Sequence, residues 1–412
     1  MGNLANSFEN LTEEHQEKVR LSQVNFEDID LEDVLEMGLE TLTEKSKQLD
    51  MIDAKIIALE AGDPEAAFSL ESLDDEILDL FDTPTLDSLG FESLDDISME
   101  EKVGGVTGIL QRMWQVYFLD FLTTFDWLAD LVKSSSKRLG KYRDRIKDTR
   151  RLFADKKPNL DQDKQKASYA QLHNYWMNED GFIKQPFKQL DEEEKLANYV
   201  LFDYPKLIEK EMGDLSTIAK RADLETPESF EKTVVSPLER KKHPVELFDK
   251  GKLGGRPYIL HTGLKVSGKR SDGNALAKLG ASRKVKVSKR PLLATGNALI
   301  PHVIPDVEMS NNEIDDLIMR GDDFLDMTER FLKETDQMKR VIGSLKGGLE
   351  VMMKDAKKTD NESLKSDMKS VGRYAKTLVD CYWAPSVKMS KRNIDITKGI
   401  AYLAGRLVAH AK

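Results

Sequence analysis

The charge of this chain changes sign near residue 100, and that boundary divides an acidic arm from a basic body. Residues 1–100 carry 15 Glu and 13 Asp against five Lys or Arg, a net charge of −23. The remaining 312 residues carry 57 basic and 45 acidic groups, a net of +12. The overall −11 thus hides a polyanionic arm on a cationic body. Segregation of this kind points to a tail and a polyanion-binding surface. An arm of −23 can shield a body of +12 until it is displaced or removed.

With 412 residues the chain has room for two or three domains with cores of their own. Its 40% hydrophobic and 33% charged content favours a helical, partly extended protein. One cysteine, Cys381, excludes an intramolecular disulfide framework and a Cys-rich zinc site, and its neighbours Tyr382 and Trp383 mark it as a small core residue. The start, MGNLANSFENLTEEHQEK, lacks the basic and apolar regions of a signal peptide, and Asn6 stands where a myristoylation signal needs Ser or Thr. The most apolar stretch, Val103–Val132, is interrupted by Arg112, Asp120, Asp126 and Asp130, so no membrane span is expected. These features suit a chain made and kept in a reducing, soluble compartment.

The arm, residues 1–100, divides in two. Residues 8–60 read as acidic helices. In Leu39–Leu59 the residues Leu42, Leu49, Ile52, Ile56 and Leu59 fall on three- and four-residue steps, with Lys45 the charged intruder. This seam fits self-association through residues 39–59, or equally a single helix packed on its own body. Residues 61–100 are acidic, punctuated by Gly62, Pro64, Pro84 and Gly90, and repeat Glu71-Ser72-Leu73-Asp74-Asp75 as Glu92-Ser93-Leu94-Asp95-Asp96. They read as a linker.

The body reads as mainly α with one small β-containing insert. Its helical domain, 101–234, opens with a capping box at Ser98-Met99-Glu100-Glu101. The aromatic run Trp114, Tyr117, Phe118, Phe121, Phe125 and Trp127 follows, then a basic stretch that Pro158 ends. More helix is expected to about residue 220, with Tyr169, Tyr175, Trp176, Phe182 and Phe187 in its core. Residues 235–306 form a Gly- and Pro-rich basic module to which β structure is confined, with Lys284–Ser288 alternating as a strand does. From Lys250 to Arg290 there are 12 Lys or Arg and one acid, Asp272. Residues 307–412 read as a helical bundle. One helix is opened by Ser310-Asn311-Asn312-Glu313, a turn falls at Gly343, Gly347 and Gly348, and two last helices over about 360–382 and 387–410 are separated at Ala384-Pro385.

No enzyme constellation stands out. The six His are scattered, Gly251-Lys252-Leu253-Gly254-Gly255 lacks the phosphate-loop pattern, and no nucleophile elbow or kinase signature occurs. No cofactor or metal is implied. An enzyme would need a site assembled from dispersed residues, with Cys381, His261 or His302 as its starting points. The basic module offers different chemistry. Lys265, Lys269, Arg270, Lys278, Arg283, Lys284, Lys286, Lys289 and Arg290 suit phosphates of double-stranded DNA, bound without sequence preference and with steep salt dependence.

A second signal is a tripeptide of Ser, Ala or Gly, any residue, then Glu. It ends at Glu9, Glu40, Glu60, Glu71, Glu92 and Glu100, six of the arm's 15 Glu, but elsewhere only at Glu231 and Glu350. A small residue two places before Glu suits a shallow protease subsite with the Glu in a basic pocket, although helix caps such as Ser98 make such triplets too.

An acidic N-terminal arm with small-x-Glu sites ahead of a basic helical body resembles the internal head proteins of large tailed phages. The resemblance covers the layout and the triplets at Glu60, Glu71, Glu92 and Glu100. It implies a non-enzymatic virion structural protein, made in the host cytoplasm and packaged inside the capsid. A prohead protease would remove its propeptide, with final cleavage after Glu92 or Glu100. The body would then contact packed DNA, and capsid or scaffold proteins would be its other partners. The alternative is an adaptor whose acidic arm is permanent and holds the basic module in check.

Overall fold

The computed structural model describes residues 30–60, 114, 118–119, 121–157, 165–168, 177–178, 181–182, 185–221, 226–239, 258–259, 264–266, 275–287, 306–356 and 362–409. The protein is mainly α. It forms two compact units, one of Met1–Asp30 with Thr41–Phe121, the other of Leu31–Glu40 with Leu122–Lys412.

In the first unit the described residues other than Asp30 are helical. Leu42, Leu49, Ile52 and Ile56 of the helix Leu31–Glu60 are buried, so the apolar seam is covered within a single chain. Trp114 and Phe118 stack at 4.9 Å.

The second unit is built around the helix Glu362–Ala409, 48 residues and about 72 Å long. Val371, Leu378, Trp383, Val387, Ile394, Ile400, Leu403 and Leu407 are all buried. A helix apolar on nearly every side must be surrounded. Gly140–Lys156, Tyr204–Arg221, Ala275–Arg283, Asn311–Lys333 and Thr335–Ala356 pack against it. Pro385 lies inside this helix rather than ending it, so the expected separation into two helices is corrected. A proline removes one backbone bond and costs about 3 kcal/mol. Here Cys381, Tyr382 and Trp383 on one side and Val387 and Met389 on the other are buried, which holds both halves in register. Ser386 Oγ donates to the Tyr382 carbonyl at 2.9 Å and lies 3.3 Å from that of Val200.

The glycine-marked turn is also corrected. Thr335–Ala356 runs unbroken through Gly343, Gly347 and Gly348, and the break falls at Glu334. Gly348 is small for packing: a Cβ there would stand 2.8 Å from the Ser216 carbonyl oxygen. Ser310 caps Asn311–Lys333 with the full capping box to Glu313, as the sequence indicates. The basic helix Gly140–Lys156 stops just before Pro158.

β structure is not confined to 235–306. Strand β1 (Gln165–Ser168) and the hairpin strands β2 (Met177–Asn178) and β3 (Gly181–Phe182) replace part of the helix expected before residue 220. Helix resumes at Pro186, whose fixed φ and missing N–H suit the first turn. In the basic module β4 (Tyr258–Ile259), β5 (Leu264–Val266) and β6 (Val285–Val287) form a three-stranded antiparallel sheet, β6 falling within the alternating stretch. Strand β7 (Asp306–Met309) pairs antiparallel with β1, Lys166 opposite Glu308, with Val307 and Met309 buried. The pairing is non-local, so neither strand reveals its partner.

Candidate nucleic-acid interface

The basic module is fixed to the body through one buried arginine. The helix Ala275–Arg283 lies close on the central helix at Gly280, where a Cβ would meet Thr377 Cγ2 at 3.2 Å and Tyr374 Cδ2 at 3.4 Å. Its last residue, Arg283, is 1% exposed. Arg283 Nε donates to Glu211 Oε2 at 2.9 Å and Oε1 at 3.2 Å, and Nη2 reaches the Leu238 carbonyl at 3.4 Å. Tyr374 donates its hydroxyl to Glu211 Oε1, and Tyr204 donates to the Arg283 carbonyl at 2.8 Å. Arg283 is therefore removed from the phosphate-contacting set. Its charge is spent on a carboxylate in the core.

This cluster is chemically quiet. Burial pushes the Tyr204 and Tyr374 hydroxyls well above the ordinary tyrosine range. Burial also pushes the Cys381 thiol up to about 12, so it stays protonated at neutral pH and is no thiolate nucleophile. His261 and His302 lie outside the described residues. Among the described residues no group of three or more His, Cys, Asp or Glu could hold a metal ion. No helix among them is long and apolar enough to cross a membrane.

Of the other phosphate candidates, Lys278 and Lys284 are exposed. Lys265 and Lys286 stand opposite one another in the β5–β6 register. Lys269, Arg270, Lys289 and Arg290 lie outside the described residues.

Much of the remaining basic charge is paired within the body. In the basic helix Arg143 bridges Asp326 and Glu329, both at 2.5 Å, and Arg150 meets Asp322 at 2.8 Å. Lys133 pairs with Asp336 at 2.6 Å, and Lys339 with Asp130 at 2.5 Å. Arg320 reaches Asp191 at 2.6 Å and Asp316 at 3.3 Å. A second buried pair, Glu193 with Arg392, is fully enclosed, and burial raises the Glu193 pKa against the pull of Arg392.

Glu211, Glu193 and Arg392 belong to no sequence motif, yet each carries a visible signal. Glu211 sits on the buried face of Tyr204–Arg221 with Ile208, Met212 and Leu215. Glu193 lies with Leu190, Leu196 and Ala197, and Arg392 with Met389 and Ile396. A charge on an apolar helical face needs an opposite charge to meet it.

Glu60, the first proposed cleavage position, is the last residue of the helix Leu31–Glu60. Glu71, Glu92 and Glu100 lie outside the described residues. The triplets ending at Glu40 and Glu350 are inside helices, and their small residues serve packing. A Cβ on Gly38 would stand 3.0 Å from Leu128 Cδ2 and 3.8 Å from Trp383 Cζ2.

The chain matches no family model, no curated protein and no solved structure.

Proposed function

We propose that this is a non-enzymatic structural protein of a phage head interior. Its acidic N-terminal segment is processed by a prohead protease, and its body contacts packaged DNA without sequence preference. The observation that carries the reading is the charge split, −23 over residues 1–100 against +12 over the rest, with six small-x-Glu triplets on the acidic side. The exposed Lys278 and Lys284, on a module anchored to the helical core through Arg283 and Glu211, support a cationic surface. Capsid or scaffold proteins are the expected protein partners.

A salt titration on an arbitrary duplex tests the DNA contact. For about six phosphate contacts the slope of log K against log salt is roughly −5. Neutralising Lys278, Lys284, Lys286, Lys289 and Arg290 flattens it, while a solvated surface that binds nothing shows no affinity at low salt. Intact-mass analysis of mature particles tests processing, and a full-length species there refutes it.

A second reading, an adaptor with a permanent acidic arm, is favoured by one observation: Leu31, Val34 and Leu35 are fully buried in the same compact unit as the body.

A further inference from the structure

The buried segment Leu31–Glu40 of the acidic arm changes what processing can remove. Leu31, Val34 and Leu35 are 0% exposed. Lys398 Nζ holds Glu32 Oε2 at 2.6 Å, and Lys391 Nζ holds Glu36 Oε2 at 2.5 Å. One turn further on, Gly38 lets the helix close on Leu128 and Trp383. These are contacts of a core element: three apolar anchors, two partly buried ion pairs and a glycine fitted to its neighbours. They lie within the compact unit formed by Leu31–Glu40 and Leu122–Lys412.

The arm's charge is distributed differently. Residues 31–60 carry eight acids and three bases, a net of −5. Residues 61–100 carry 13 acids and no base, a net of −13. More than half of the arm's −23 therefore lies beyond Glu60, the last helical residue and itself the end of a small-x-Glu triplet.

We propose that the helix Leu31–Glu60 is a permanent part of the mature protein, and that processing excises the polyacidic segment between two cuts. One cut follows Glu60 and the other Glu92 or Glu100. The product is a nicked protein of two chains held together without a covalent bond. This rests on the processing reading above and replaces loss of the whole arm by loss of its most acidic part. Each hydrolysis consumes one water, breaks one amide C–N bond, and leaves a carboxylate on the Glu and an amine on the next residue. The two new charges cancel, so the released peptide carries away −13 for residues 61–100, or −10 for residues 61–92, and the two-chain product becomes more positive by the same amount. Glu40 is spared, because a protease binds extended backbone and this bond lies in the packed interior of a helix, whereas the bond after Glu60 lies at the helix end, where the last turn frays.

The test uses the full chain with recognition sequences for a site-specific protease inserted after Glu60 and after Glu92. After cutting, gel filtration at physiological ionic strength is expected to show the N-terminal fragment co-eluting with the body, and the acidic peptide alone. An N-terminal fragment that elutes by itself overturns the proposal. Lys391→Glu with Lys398→Glu is expected to speed fragment release by roughly fivefold. Adding Glu32→Lys and Glu36→Lys restores retention. Equal release from all three proteins overturns the assigned anchors. Processing itself is tested separately on native particles: no break at Glu60, Glu92 or Glu100 refutes it, while the engineered cuts decide retention on their own.

Discussion

A carboxylate buried beside a guanidinium is tolerable only while both are present. With Arg283 1% exposed and Glu211 4% exposed, Arg283→Ala leaves an unpaired charge in the core. The expected loss is about 3–5 kcal/mol in denaturant unfolding. Lys278→Ala and Lys284→Ala, on exposed neighbours, should stay within about 0.5 kcal/mol. The same experiment separates a core arginine from exposed lysines that sequence cannot distinguish. Glu329 pairs with both Lys333 and Arg143. A hydrogen bond from Lys333, with help from Arg143, holds its carboxyl below the ordinary 4.5. A depressed carboxylate contributes stability that is present above its unfolded pKa and lost as pH falls through its folded one. Glu329→Gln should therefore lower stability at neutral pH, by about 1 kcal/mol or less because the pair is partly exposed, and flatten the decline on the acid side. Glu193, raised by burial, works in the opposite sense, so the wild type and the variant must be compared directly. Urea unfolding at neutral pH and below the ordinary carboxylate range measures the difference.

The three glycines of Thr335–Ala356 differ at the level of the element. Nothing stands within 4 Å of a Cβ built on Gly343 or Gly347. Gly343→Ala and Gly347→Ala should each stabilise the helix by about 0.5–1 kcal/mol. At Gly348 the new methyl meets the Ser216 carbonyl at 2.8 Å and Ser216 Oγ at 3.0 Å. Ser216 Oγ also donates to the Ser344 carbonyl at 2.7 Å, so the two helices cross where both carry small residues. Gly348→Ala should destabilise by about 1–3 kcal/mol, and thermal melts of the three variants check the order. The contrast separates local signals from those that depend on distant partners. The capping box at Ser310, the stop before Pro158 and the strand Val285–Val287 depend on a few adjacent residues and could be read directly. The unbroken helix through Pro385, the β1–β7 pairing and the burial of Arg283 depend on partners far along the chain, such as Glu211 for Arg283. The small residues at Gly38 and Gly348 look like protease subsites in a linear scan. In three dimensions each marks a close helix contact.

Charge and core assign the arm two different parts. Deleting residues 61–100 moves the formal net charge from −11 to +2 and leaves Leu31–Glu40 in place. Deleting residues 1–100 moves it to +12 but strips Leu31, Val34 and Leu35 from the compact unit. Burial of each such side chain is worth roughly 1.5–3 kcal/mol. Three of them approach a typical domain stability of about 5–15 kcal/mol. Loss of the Glu32–Lys398 and Glu36–Lys391 pairs leaves two partly buried lysines without those partners. The two deletions should therefore behave differently although both raise the charge. The chain lacking 61–100 should keep nearly the wild-type denaturant midpoint for the unit of Leu31–Glu40 with Leu122–Lys412, and bind an arbitrary duplex more tightly than the intact chain at the same salt. Its advantage should shrink as ionic strength rises and screening shortens. The chain lacking 1–100 should show a lowered midpoint or aggregate, whatever its affinity for DNA. Equal stability of the two deletions would mean that Leu31–Glu40 is dispensable to the body. Equal DNA binding by the intact chain and the chain lacking 61–100 would mean that the acidic segment shields nothing.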